Sequence, residues 1–62
     1  MKTYLVMVDR SCCVAIQAEE ALVDIQHNVV NFVTADESGL MQTVGQWNVG
    51  DIIGWMEMGK PS

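Results

Sequence analysis

The sequence predicts a mainly β protein: a small antiparallel β-meander or barrel-like sheet that self-associates. Three observations lead there. Runs of β-branched and aromatic residues recur along the chain. Turn-forming residues separate them. The first and last runs are apolar on both faces, which a half-exposed strand is not.

Thr3–Asp9 opens the series, with Tyr4, Val6 and Val8 alternating against Leu5 and Met7. Arg10–Cys12 reads as a turn, and Cys13–Ala18 as the second strand. Ala21–Gln26 sets Ala21, Val23 and Ile25 against Leu22, Asp24 and Gln26. His27-Asn28 supplies a tight turn, because Asn tolerates positive φ. Val29–Ala35 follows, with Val30 and Phe32 on one face. Asp36-Glu37-Ser38-Gly39 is a strong turn signal. Leu40–Gly45 and Asp51–Met58 complete the set, joined through a loop at Gln46–Gly50. The body is one domain over residues 1–58, and Gly59–Ser62 is expected to be a flexible C-terminal tail.

The alternative is an α+β fold with a helix near residues 18–33. Ala18, Ala21, Leu22, Ile25, Val29, Phe32 and Val33 also fit a helical stripe. Against it stands the density of β-branched residues: Val23, Ile25, Val29, Val30, Val33 and Thr34.

Composition excludes several functions. The chain has 62 residues, enough for one domain with a marginal core. Half the residues are hydrophobic, which argues against disorder. Lys and Arg number 3 against 8 Asp and Glu, for a net charge of -5. Lys2, Arg10 and Lys60 are too few to neutralise many phosphates, so no duplex nucleic acid is expected as a partner. No run approaches the roughly 18 apolar residues of a membrane helix, and no signal peptide is recognisable. Adjacent Cys12 and Cys13 cannot build a disulfide framework. These features lead to the expectation of a cytoplasmic protein with no membrane partner.

Apolarity on both strand faces implies that something covers the second face. Too little chain remains to do so, which suggests a symmetric homodimer or larger oligomer. Tyr4, Val6, Val8, Ile53 and Trp55 are the expected interface residues. A closed barrel with an uneven surface is the alternative, since isolated exposed apolar residues are common.

Three segments carry a resemblance: Val14-Ala-Ile-Gln-Ala-Glu, Val23-Asp-Ile-Gln-His-Asn-Val-Val-Asn-Phe, and Asp36-Glu-Ser-Gly. Together they resemble short β-meander proteins of the kind bacteriophages encode. The resemblance implies a compact antiparallel sheet or small barrel, and no particular activity.

The residues of chemistry are sparse. His27 is the one histidine and sits in a turn, distant in sequence from either cysteine. Adjacent cysteines on a strand face opposite ways, so Cys12 and Cys13 read as one core thiol and one surface thiol, not as a metal pair. Glu19-Glu20 and Asp36-Glu37 are neighbours in sequence and do not converge as catalytic carboxylates do. Gly45-Gln-Trp-Asn-Val-Gly50 lacks the ending of a phosphate loop. No catalytic residue, metal or cofactor is therefore expected, and the protein is read as a non-enzyme.

What remains is binding. Trp47, presented by its loop with Gln46 and Asn48, and Trp55 are the candidate partner-binding residues, because tryptophan is enriched at interface hot spots. The leading expectation is a small protein-binding module, a phage-encoded inhibitor of a host enzyme or defence factor acting in the host cytoplasm. One alternative is a sponge for a small nucleotide signal, held by Arg10 and Lys2 from several chains. Another is a structural accessory of a larger assembly, paired through its edge strands.

Overall fold

A computed structural model of the chain describes residues 1–58, and the tail expected at Gly59–Ser62 lies outside the described residues. Six strands follow one another: β1 (Lys2–Asp9), β2 (Cys12–Ala18), β3 (Glu20–Asp24), β4 (Val29–Ala35), β5 (Met41–Asn48) and β6 (Gly54–Glu57). A short 3-10 turn, Val49–Asp51, precedes β6. The strands form two antiparallel three-stranded sheets, ordered β2-β1-β6 and β3-β4-β5, and they do not close into a barrel.

The β-branched residues between 18 and 33 decide against the helix. That stretch is the end of β2, all of β3, a turn and most of β4. Other boundaries differ from expectation. β1 and β3 each begin one residue early, at Lys2 and Glu20. β5 begins one residue late, at Met41, and β6 is only Gly54–Glu57 where Asp51–Met58 was expected. β2 begins one residue early, at Cys12. β3 ends at Asp24, short of Gln26. β5 runs on through Gln46 and Trp47 to Asn48, so no loop presents Trp47.

Short polar side chains fix the turns. Asp9 Oδ1 accepts from Ser11 N at 2.8 Å and from Ser11 Oγ at 3.1 Å, closing the β1–β2 hairpin. In the β3–β4 turn Asn28 takes φ 55, the left-handed conformation Asn tolerates. Asp36 organises the β4–β5 turn. Its Oδ1 accepts from Ser38 Oγ at 2.6 Å, Ser38 N at 2.9 Å and Leu40 N at 3.0 Å, and its Oδ2 accepts from Gln42 Nε2 at 3.0 Å. These bonds, that from Ser38 Oγ foremost, hold its carboxyl below the usual carboxylate range. Gly39 completes the turn at φ 89, where a Cβ would be strained.

A single residue carries the chain from one sheet to the other. Glu19 N donates to Val33 O at 2.9 Å, and Glu19 Oε2 accepts from Ala35 N at 2.8 Å. The preceding Ala18 is fully buried at this corner.

The inner faces of the two sheets pack together. Tyr4, Val6 and Ala18 come from the first sheet, and Val30 and Phe32 from the second. Ile16, Ala21, Trp47, Ile52 and Trp55 close around them. Directly opposed residues of an antiparallel pair share a face. The inner rows are therefore Val14–Val6–Trp55 and Ile16–Tyr4 in one sheet, and Val23–Val30–Trp47 and Ala21–Phe32–Gly45 in the other. Gly45 leaves the space that Ile16 fills: a Cβ there would press into Ile16 Cδ1 and lie 2.9 Å from Trp47 Cζ3.

Among the described residues, Thr34 Oγ1 is buried without a hydrogen-bond partner. Replacing its hydroxyl with a methyl removes a desolvation cost and keeps the shape. Thr34→Val is expected to stabilise the fold by about 1 kcal/mol, read as a higher urea midpoint. A lower midpoint would mean that the hydroxyl has a partner in solution.

Asp36 sets an acid limb to stability. Its folded pKa is depressed, so its contribution is fully present above the unfolded value of about 4 and is lost as pH falls through the lower folded value. Asp36→Asn is expected to lower the melting temperature at neutral pH and to flatten its decline below about pH 4. An unchanged acid limb would assign that decline to other carboxylates.

Candidate binding surface

Strand alternation gives the first sheet a second, outer face. Its rows are Ala15–Leu5–Met56, Cys13–Met7–Gly54 and Gln17–Thr3, and Met58 N extends the last by donating to Thr3 O at 2.8 Å. No residue in these rows carries a formal charge. Leu5 and Met7 are half-buried in the middle strand, while Ala15, Cys13, Met56 and Met58 are exposed. With strands about 4.8 Å apart and a rise of about 3.4 Å per residue, the stretch flanking Thr3–Met7 covers roughly 250 Å².

The outer face of the second sheet is different in kind. Its rows are Leu22–Asn31–Gln46, Asp24–Val29–Asn48 and Glu20–Val33–Thr43. Gln46 Nε2 donates to Asn31 Oδ1 at 2.7 Å, and Asn48 Oδ1 accepts from Gly50 N at 2.9 Å. Apart from Val33, which is 6% exposed, this face mixes amides and carboxylates with its few aliphatic groups, as a solvated sheet face does.

The expected interface residues fall mostly on the wrong side for contact. Val6 is fully buried and Tyr4 is 6% exposed, so both belong to the core, and Val8 packs against it. Trp55 is half-buried, its ring centroid 6.4 Å from that of Phe32. Ile53 alone stays exposed, because a bend before β6 interrupts the alternation and sends Ile52 inward instead. The structure turns the Tyr4, Val6 and Val8 face of β1 inward, opposite to expectation. The aromatic residues hold the clue: they bury the largest areas, so the face carrying Tyr4 and Trp55 becomes the core. Leu5, Met7, Cys13, Ala15 and Met56 take the outer face instead.

The proposed tryptophan site also separates. Trp47 lies on the inner face of β5, half-buried, with its ring centroid 5.6 Å from that of Phe32 in an edge-to-face arrangement. Gln46 and Asn48 point to the opposite face by alternation, and Trp55 belongs to the other sheet. The four do not form one surface.

Lys2 and Arg10 do not converge within the chain. They flank the two ends of β1, about 27 Å apart. Lys2 Nζ lies 3.2 Å from Glu57 Oε1, and this hydrogen bond with the carboxylate's charge raises the ammonium pKa. The open cleft of about 480 Å³ beside it is lined by Met1, Lys2, Glu19, Glu20 and Met41. Its two glutamates oppose a phosphate there.

Cys12 and Cys13 are both free and exposed, where one core thiol was expected. Cys12 escapes burial because it sits at the hairpin end, beside the register shift between Met7 and Asp9. His27 Nδ1 lies 2.8 Å from Asp24 Oδ2 in an exposed turn, and that hydrogen bond lowers the Asp24 pKa. Among the described residues no three His, Cys, Asp or Glu side chains gather as a metal site would. No helix among them is long and apolar enough to cross a membrane.

Trp47 offers a test of core against presented side chain. Trp47→Ala is expected to destabilise the fold by about 3 kcal/mol in urea unfolding. An unchanged midpoint would return Trp47 to the surface as a presented residue. Comparison of the chain with protein-family models, curated proteins and solved structures finds no match.

Proposed function

We propose that the protein is a non-enzymatic binding module that works as a homodimer or larger oligomer and engages a protein target as a stoichiometric inhibitor or adaptor. The observation that carries this reading is the uncharged outer face of the first sheet. Thioethers dominate it: Met7 in the middle strand, with Met56 and Met58 on its flank. Unbranched, polarisable side chains adapt to a partner's relief, which suits a recognition surface. A patch of roughly 250 Å² is no larger than those ordinary monomers expose, so the lack of charge and the thioethers, not the area, single out this face. The acidic balance of -5 adds long-range attraction to a basic partner, which speeds encounter more than it strengthens the final contact. The likeness to small phage proteins fits a target among host enzymes or defence factors.

The test is a photo-crosslinking amino acid placed at Met56, in the cells that make the protein, with Leu22 on the other sheet as the control position. The expected result is one dominant protein adduct from position 56 that is absent from position 22 and is lost in a Met7→Glu background. The same adducts from both positions, or adducts that survive Met7→Glu, would overturn the assignment of this face. Circular dichroism of the variant checks that its fold is intact.

A further inference from the structure

We propose that two copies of the chain pair along β2, antiparallel about a twofold axis at Ala15, to make one six-stranded sheet of order β6-β1-β2-β2-β1-β6. The proposal builds on the oligomeric reading above and names its surface and register.

The edges of the two sheets supply the first argument. An unpaired edge is a template for another strand, and proteins guard it with charges, bulges or brevity. β6 has four residues and ends at Glu57, paired with Lys2. β3 carries Glu20 and Asp24 at its two ends. β5 is interrupted where Phe32 opposes Gly45 and Val33 opposes Thr43, leaving Val44 as a bulge that bends the edge. β2 has none of these guards. Its sequence Cys-Cys-Val-Ala-Ile-Gln-Ala contains no charge, proline or glycine, and it runs in regular register with β1 from Cys13 to Ala18.

Self-complementarity supplies the second. A twofold axis at Ala15 is the register that overlaps all seven residues of β2. It sets Ala15 against Ala15, Val14 against Ile16, Cys13 against Gln17 and Cys12 against Ala18. Every pair is uncharged and keeps inner residues with inner and outer with outer, as a continuous sheet requires.

Charge supplies the third. Arg10 precedes β2 and has no ion pair among the described residues, while Asp9 is turned back onto Ser11. Glu19 and Glu20 follow β2. The antiparallel register brings Arg10 of each copy towards Glu19 and Glu20 of the other. A parallel register would set Arg10 against Arg10.

The pairing also resolves a shortfall of area. One outer face of roughly 250 Å² is small beside the ~1,000 Å² in total that a specific interface buries. Joined edge to edge, two faces offer about 500 Å² on one continuous sheet, which meets that requirement against a target of matching area.

The test combines native mass spectrometry under reducing conditions with two variants. The wild type is expected at twice the chain mass of 6.9 kDa. Ala15→Lys sets two ammonium groups against each other at the axis and is expected to raise the dimer dissociation constant at least ~10-fold. Ala15→Cys, in a Cys12→Ser and Cys13→Ser background, is expected to form a disulfide-linked dimer with the mild thiol oxidant diamide. Opposed Cα atoms at about 4.5–5.5 Å suit that bond. Gln17→Cys in the same background is expected to cross-link poorly. A monomeric wild type would overturn both this proposal and the oligomeric part of the reading above. A dimer that survives Ala15→Lys would overturn edge pairing and leave oligomerisation to another surface. If Ala15→Lys unfolds the chain, the cross-link decides alone, and its failure in a dimeric protein would overturn the register.

Discussion

The Phe32 ring joins the two sheets. Its centroid lies 5.2 Å from that of Tyr4, 5.6 Å from that of Trp47 and 6.4 Å from that of Trp55, so all four aromatic side chains of the protein meet at one point. Two of the contacts are near-perpendicular, at 80° and 87°, the edge-to-face geometry that sets a ring's positive rim against another's negative face. Tyr4 and Trp55 belong to the first sheet, Phe32 and Trp47 to the second. Neither three-stranded sheet has an apolar core of its own. Each becomes stable by burying Tyr4 and Val6, or Val30 and Phe32, against the other, and Phe32 is where they interlock.

That constraint explains the division of labour between faces. Once the aromatic rows are committed to the core, the thioether and small residues of the first sheet are turned outward. The second sheet turns amides and carboxylates outward instead. Tyr4 and Val6 are committed to the core, with Val8 packed against it, and strand alternation then turns Leu5 and Met7 outward.

Most of the architecture was legible in the residues. β-branched runs and the turns at Ser11, Asn28 and Gly39 marked the strands, because propensity and turn chemistry act locally. The division into two sheets was not legible, since it depends on Glu19 crossing between layers, and a lone glutamate carries no sign of that. Trp47 was misplaced for a similar reason. The glycine and amides around it look like a loop, yet Gly45 is small because Ile16 packs over it from the opposite sheet. That is a long-range cause with a local disguise. The outer face was legible as excess apolarity in β1. Its side was not, because alternation divides a strand into two faces without ranking them.

The order of the first sheet has a consequence for synthesis. Its middle strand is the first made, and β6 is the last of the six, pairing Tyr4 with Glu57 and Val6 with Trp55. Between them the ribosome must deliver the whole second sheet. Throughout that interval β1 has β2 on one flank and an open backbone on the other, with Tyr4 and Val6 awaiting the rings that will cover them. A nascent chain of this design therefore stays adhesive along β1 until β6 emerges, and that strand both completes the sheet and ends the exposure.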